Sequence, residues 1–172
     1  MARAPVVNID TILDEPDHVD RNCTGERFEA TLGLVGRALG TSQIGLTLTV
    51  TPPGKAAWPR HFHHVNEEIF VILAGAATLF YGEEIQRLRP GDVARIAPGT
   101  GIPFHLVNDG VDDLRYLAFS GLAATDVFEY PDSGKIGLVT GGHGPMRGPH
   151  ARLFFARLAD AVPYWAGEDD TS

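Results

Sequence analysis

The chain has 172 residues, of which 44% are hydrophobic and 21% charged, a composition typical of a folded domain large enough to enclose a core. The formal net charge is -8 and no stretch concentrates lysine and arginine, which argues against a nucleic acid as partner. The single cysteine, Cys23, excludes an internal disulfide and is typical of a reducing compartment.

No apolar run approaches the length of a membrane-spanning segment, and the N-terminus lacks the apolar stretch of a signal peptide. We therefore expect a cytoplasmic protein without a membrane partner. The 20 glycines and 12 prolines are spread through the chain, which predicts many short strands joined by tight turns.

The N-terminal part begins with an irregular segment and continues with strands. Residues 1–21 are polar and interrupted by two prolines, which predicts an irregular arm with one short strand at 6–9. Alternation of apolar and polar residues predicts strands over 27–35 and 44–50, separated by a turn at 36–40.

The middle of the chain continues as short strands between turns that contain glycine and proline. About nine strands follow one another at a spacing of about 8–12 residues, without a helical period between them, and this pattern indicates an antiparallel sandwich or barrel. The predicted strands of this part are 69–73, 76–81, 85–88, 93–97, 105–107 and 114–120.

The C-terminal segment 121–172 has a different character. A turn-rich sequence at 130–134 interrupts it, and the apolar residues within 153–162 are compatible with one short amphipathic helix or strand. We expect this segment to be a tail that packs on the barrel or on a second subunit. The sequence therefore predicts one domain over 1–172, with its barrel core at about 27–120.

Histidines and carboxylates are concentrated at residues 61–68. His61 and His63 are two residues apart, so an extended backbone points both imidazoles the same way. A carboxylate from Glu67 or Glu68, at the start of the next strand, can supply a third ligand. Two imidazoles and one carboxylate suit Fe, Mn, Ni, Zn or Cu and leave positions open for water or substrate. The alternative is that these side chains are only solvated or hydrogen-bonded.

The stretch from Gly54 to Asn108 resembles the cupin superfamily. The first cupin signature consists of a glycine, His-x-His, a glutamate and a second glycine. Here it is matched by Gly54, His61, His63, Glu68 and Gly75, and the six residues before the last glycine select Glu68 over Glu67.

The second cupin signature has three residues between a histidine and an asparagine, after a Pro-x-Gly turn. The match here is looser and runs through Gly91, Pro98, His105 and Asn108. Only two residues separate His105 from Asn108, and the loop before His105 is longer than in the signature.

The resemblance implies an all-β, antiparallel jelly-roll barrel with one divalent metal ion bound inside near an open mouth. By the same resemblance the ligands would be His61, His63, Glu68 and His105. His64 would face away from the metal, and Glu67 would face solvent or pair with a cation.

The resemblance leaves the reaction open, because cupins include oxygenases, isomerases, decarboxylases and lyases. We expect a metal-dependent enzyme acting on a small organic molecule and slightly favour dioxygenase-type chemistry over isomerase or lyase chemistry. The alternative is a cupin that binds a small ligand without catalysis. We also expect a homodimer, formed through the strand at 44–50 and the apolar residues of 153–162.

Overall fold

The computed structural model describes residues 6–141 and 152–168. These residues form thirteen strands, one short α-helix, α1 (Val35–Leu39), and several single 3-10 turns. The strands are β1 (Val19–Thr24), β2 (Phe28–Gly33), β3 (Ile44–Thr51), β4 (Phe62–His63), β5 (Glu68–Ala74), β6 (Ala77–Tyr81), β7 (Glu84–Leu88), β8 (Val93–Ile96), β9 (Phe104–Val107), β10 (Leu114–Gly121), β11 (Thr125–Tyr130), β12 (Lys135–Thr140) and β13 (Arg152–Arg157).

The strands are arranged in three sheets, and every pair of named strands is antiparallel. The largest sheet has the order β1-β2-β3-β10-β5-β8, so β10 lies between strands that precede it by many residues. A three-stranded sheet has the order β7-β6-β9, and a four-stranded sheet has the order β13-β12-β11-β4. This architecture confirms the predicted all-β, antiparallel class.

The six-stranded sheet is covered on both faces. One face packs against the three-stranded sheet through a core contributed by β5 to β10, which includes Phe70, Ile72 and Leu114. The other face is covered by the N-terminal arm and α1, where Ile12 and Leu48 are fully buried. Because side chains alternate along a strand, the neighbours of Leu48 on β3 point to the opposite face, toward the interior between the sheets.

The N-terminal part differs from the prediction in four places. The predicted strand at 27–35 ends at Gly33, and α1 replaces the predicted turn at 36–40. The short strand predicted at 6–9 is not formed. An unpredicted strand, β1 (Val19–Thr24), is formed instead, and its first three residues lie in the predicted irregular arm. β1 shows no apolar alternation because it is a mostly exposed edge strand that pairs with β2 through its backbone.

The C-terminal segment was predicted to be a tail with one short amphipathic helix or strand, and the structure corrects the number of strands in its described residues. Three consecutive strands, β11, β12 and β13, form antiparallel hairpins there, and β11 also pairs with β4. The apolar stretch within 153–162 is therefore a strand followed by a 3-10 turn at Leu158–Asp160 rather than a helix. The extent of the domain stays a prediction.

None of the helices in the described residues has the length and apolar character of a membrane span.

Candidate metal centre

One wall of the candidate site is built on the short strand β4. His63 pairs with Phe128 of β11, and an isolated bridge joins His61 to Phe104 of β9. These pairings keep the backbone extended, so His61 and His63 point to the same side, as their spacing predicts. Phe62 and His64 point the other way.

The facing wall is the concave side of the six-stranded sheet. Glu68 begins β5 and lies opposite Ser120 of β10, and Thr47 of β3 lies opposite Ala118 of the same strand. Their side chains share one face of the sheet because the pairing is in register across the three strands. Glu68 therefore projects from the sheet toward the imidazoles of β4.

The three side chains converge on one point. His61, His63 and Glu68 each offer a ligand atom, and these atoms lie within 4.8 Å of one another. Nε2 of His63 lies 3.9 Å from Oε1 of Glu68, and the two imidazole rings are 5.1 Å apart at an angle of 71°. Atoms at these separations can share a single cation.

Hydrogen bonds fix which nitrogen of each imidazole faces the cavity. Nδ1 of His61 lies 2.7 Å from the carbonyl oxygen of Pro59, and Nδ1 of His63 lies 2.6 Å from Oδ2 of Asp126. A carbonyl and an ionised carboxylate can only accept, so both Nδ1 atoms carry a proton, and in the neutral imidazoles both Nε2 atoms keep a lone pair. Metal-binding histidines are held in the same way, so the donor set fits a cation.

The electrostatics of the cluster also suit a cation. Burial, with a smaller effect of His63, lowers the pKa of His61 to about 4, so His61 is neutral near pH 7. Burial opposes the charged form of His63, but Asp126 and Glu68 outweigh it and raise the pKa of His63. Burial raises the pKa of Glu68. At Asp126 burial acts in the same direction, but the hydrogen bond and charge of His63, together with the N–H groups of Val65 and Asn66, outweigh it and lower the pKa. Two carboxylates in a buried cluster are balanced by a divalent charge.

A cavity of about 350 Å³ adjoins the cluster. The sheet wall contributes mainly hydroxyl and small side chains, and the opposite wall contributes aromatic rings and the histidines. The lining residues are Leu32, Thr47, Thr49, Trp58, His61, His63, Asn66, Glu68, Ala118, Ser120, Phe128 and Tyr130.

One family model matches the middle of the chain. Residues 47–120 match the family model described as a cupin domain. The chain contains a cupin domain. No curated protein matches the sequence.

Solved structures share the fold of the whole chain at low sequence identity. A protein from Acidithiobacillus ferrooxidans, whose name proposes a sugar phosphate isomerase, is 21% identical with a TM-score of 0.76, over 92% of this chain and 95% of that one. A cupin from Silicibacter pomeroyi named a sugar phosphate isomerase is 21% identical with a TM-score of 0.70, over 84% of this chain and 92% of that one.

A third structure, from Thermotoga maritima and named a predicted oxalate decarboxylase, is 22% identical with a TM-score of 0.52, over 60% of this chain and 90% of that one. These likenesses concern the fold and confirm the predicted jelly roll.

The structure places His105 outside the group formed by His61, His63 and Glu68. Along β9 the ring of Phe104 points into the cupin interior and lies 4.5 Å from the ring of His61. His105 points the other way, and its ring lies 6.4 Å from that of Phe80. The ligand role of His105 stays a prediction.

The distance from Asn108 along the second cupin signature accounts for the inward position of Phe104. The second cupin signature has three residues between its histidine and its asparagine, and the residue at that position here is Phe104. Asn108 is fully buried and donates to the carbonyl oxygens of Thr51 and Asp112, so it anchors the turn after β9. A phenylalanine thus occupies the inward position of this strand.

The other residues of the histidine cluster lie on the outside of the β4 wall or near it. Nε2 of His64 lies 2.8 Å from Oε1 of Glu129, and the His64 side chain is 41% exposed. Glu67 forms an ion pair with Arg95. Both positions agree with the predictions for these two residues.

Sequence reasoning missed Asp126, the hydrogen-bond partner of His63. Asp126 lies on β11, within the segment predicted to be a tail, 63 positions after His63 in the sequence. The alternating pattern of Thr125–Tyr130 is a signal for a strand with Asp126, Phe128 and Tyr130 on one face. No signal in the sequence connects that strand with β4.

Proposed function

We propose that this protein is a metal-dependent enzyme that binds one divalent cation through His61, His63 and Glu68 and acts on a small polar organic molecule. The observation that carries the proposal is the convergence of three potential ligand atoms within 4.8 Å beside a cavity of about 350 Å³. A cavity of this size is at the lower end of the range of small-molecule sites.

The lining of the cavity supports a hydroxylated substrate. Thr47, Thr49 and Ser120 bring hydroxyl groups to the sheet wall, and Tyr130 brings one to the opposite wall. Such groups can donate to and accept from substrate hydroxyl and carbonyl oxygens. Phe128 and Trp58 offer apolar surface for the carbon skeleton.

A bound divalent cation would supply Lewis-acid polarisation of a substrate oxygen. The residues of the chain hold the rest of the site in place. Pro59 and Asp126 orient the two imidazoles through their Nδ1 protons. Burial and Glu68 raise the pKa of Tyr130, so its phenol stays protonated and can donate a hydrogen bond to a substrate oxygen.

This lining favours isomerase or lyase chemistry on a hydroxylated substrate over oxidation. The same donor set supports a second candidate, because two histidines and one carboxylate with open positions are also the ligands of non-haem iron oxygenases. Substrate-dependent oxygen consumption distinguishes the two, and zinc as the bound metal would exclude the oxygenase because zinc has no redox chemistry.

The decisive experiment combines metal analysis with activity screens. We expect near-stoichiometric divalent metal in purified protein and its loss in His61→Ala. Zinc, manganese or nickel with turnover of sugars or hydroxy acids would support isomerase or lyase chemistry, and iron with substrate-dependent oxygen consumption would support the oxygenase. Absence of metal after reconstitution would contradict both, and stoichiometric metal without turnover in either screen would favour a ligand-binding protein.

A further inference from the structure

Asp126 is a buried carboxylate outside the residues that match the cupin family model. Its side chain has no exposed surface, and it lies on β11, beyond residue 120, where the match ends. It is the one acidic residue among the buried polar residues of the described chain. Burying a carboxylate is costly unless hydrogen bonds compensate.

Both oxygens of Asp126 are used, and they serve two different segments. Oδ1 accepts the backbone N–H groups of Val65 and Asn66, at 3.0 and 3.4 Å. Oδ2 accepts the Nδ1 proton of His63 at 2.6 Å. The first pair of bonds holds the loop that joins β4 to β5, and this loop sets the position of His63 relative to Glu68.

The bond to His63 also decides where the imidazole proton lies. An ionised carboxylate has no proton to give, so neutral His63 must donate through Nδ1. Its Nε2 then carries a lone pair that faces the cavity, and this atom lies 3.9 Å from Oε1 of Glu68. The other tautomer would point an N–H group at the position of the cation and exclude it.

We propose that Asp126 is a positioning residue that selects the Nε2-accepting tautomer of His63 and thereby sets the metal affinity of the site. This inference rests on the proposed function, because the affinity in question is that of the His61, His63 and Glu68 cluster. Asp126 acts through His63 and touches neither the cation nor the substrate.

The test is Asp126→Asn. The amide oxygen can replace Oδ1 as acceptor for Val65 and Asn66, so the loop keeps its anchor. The amide nitrogen would replace Oδ2 and can only donate, so His63 must accept through Nδ1 and carry its proton on Nε2. Loss of such a partner typically lowers metal affinity about 10–100-fold.

A matched control lies on the same strand. Glu129 accepts from Nε2 of His64 at 2.8 Å on the outside of the wall. Glu129→Gln removes a carboxylate from an equivalent histidine pair without changing the site, so zinc affinity should match that of the unaltered protein. A merely electrostatic effect of removing the Asp126 charge would weaken zinc binding without moving the His63 proton to Nε2, so the tautomer separates the two explanations.

Two readouts are measured. Zinc affinity comes from competition with a chelator, and the tautomer of His63 comes from ¹⁵N NMR of metal-free protein at alkaline pH, where the imidazole is neutral. We expect Nδ1–H in the unaltered protein, Nε2–H in Asp126→Asn, and a 10–100-fold weaker zinc affinity in the variant.

Unchanged zinc affinity and tautomer in Asp126→Asn, with zinc bound by the unaltered protein, would overturn this inference alone. Nε2–H in the unaltered metal-free protein would overturn it even if the variant fails to fold. Failure of the unaltered protein to bind zinc, manganese, nickel or iron, even after reconstitution with each, would overturn the proposed function and this inference together.

Discussion

The two walls of the cavity hold their side chains by different means. On the sheet wall, Glu68 and Ser120 lie on β5 and β10, and each of these strands is hydrogen-bonded on both sides. On the histidine wall, β4 consists of two residues and pairs only with β11 at its edge of the four-stranded sheet. The sheet wall is positioned by continuous backbone ladders. The histidine wall is held by a few backbone hydrogen bonds, such as those exchanged by His61 and Phe104, together with side-chain contacts.

Aromatic packing supplies much of that support. The ring of His61 stacks on Tyr130 at 5.6 Å and 25°, and the ring of His63 lies 5.6 Å from Phe128. Phe128 in turn meets Phe155 of β13 at 5.7 Å. The histidine wall therefore depends on the C-terminal hairpins, and we expect it to be more sensitive to substitutions than the sheet wall.

The largest expected effect is the loss of metal when a histidine of this wall is truncated. His61→Ala or His63→Ala removes one of three ligands, so we expect metal affinity to fall by ~100-fold or more. Elemental analysis after dialysis measures the effect. His64→Ala is the control and should retain its metal, because His64 faces outward toward Glu129. Loss of metal in His64→Ala but not in His61→Ala would mean that the assigned ligands are wrong.

The next effect compares one glycine on each side of the cavity. A Cβ added at Gly137 of β12 would lie 2.0 Å from the ring of Phe128, so Gly137→Ala must displace the ring that packs on His63. We expect a loss of about 1–3 kcal/mol in the free energy of unfolding, together with weaker metal binding.

Gly45 of β3 is the counterpart on the sheet wall. A Cβ there would meet only the Ser120 hydroxyl oxygen at 2.6 Å and Leu122 at 3.3 Å among side-chain atoms, and both can rotate. Gly45→Ala should therefore cost less than Gly137→Ala in urea unfolding. Equal losses in the two variants would contradict the proposed difference between the walls.

A pH effect of similar or smaller size is expected in metal-free protein. The pKa of His61 is about 4 in the folded state against 6.5 in the unfolded state, so between these values the unfolded chain binds a proton that the folded chain does not. Stability should fall by up to about 3 kcal/mol as the pH drops from 6.5 to 4. The raised pKa of His63 opposes this loss, because protonated His63 is stabilised in the folded state.

Urea unfolding of metal-free protein at neutral and acidic pH measures the effect. The variant His61→Gln lacks the titrating imidazole and should lose less stability on acidification than the unaltered protein. Parallel losses in the two proteins would show that burial of His61 does not govern the acid response.

The smallest effect on metal binding is expected for changes at β13. Such changes should instead alter the assembly of the protein. This edge strand pairs only with β12, and the side chains of Leu153, Phe154 and Phe155 are about half exposed. We expect β13 to pair with a second copy of the chain, because an exposed apolar edge favours association. Sedimentation of the unaltered protein as a monomer of 18.5 kDa would contradict this expectation.

Phe154→Lys should give monomers while the metal content stays unchanged, since Phe155, not Phe154, contacts the ring of Phe128. Ile85→Lys, at a residue 66% exposed on β7, is the matched control and should leave the dimer intact.

Local patterns in the sequence determined the class of fold and most of the cluster of candidate ligands. Alternating apolar residues between glycine and proline turns predict strands because both signals act within a few residues. The spacing of His61 and His63 predicts a shared face for the same reason. The spacing to Gly75 selects Glu68, and Gly75 has a φ of 78° with the backbone of Asp113 2.6 Å from its missing Cβ, so a side chain does not fit there.

Only the tertiary structure decided which distant strands meet. β1 forms because it pairs with β2, and α1 forms because it packs on the core around Ile12 and Leu48. The sequences of these two elements by themselves give only weak signals. The orientation of β9 turns Phe104 rather than His105 inward. Asp126 reaches His63 through the pairing of β11 with β4, a contact between residues far apart in sequence. A short-range pattern cannot encode such a pairing, since it depends on how complete sheets pack.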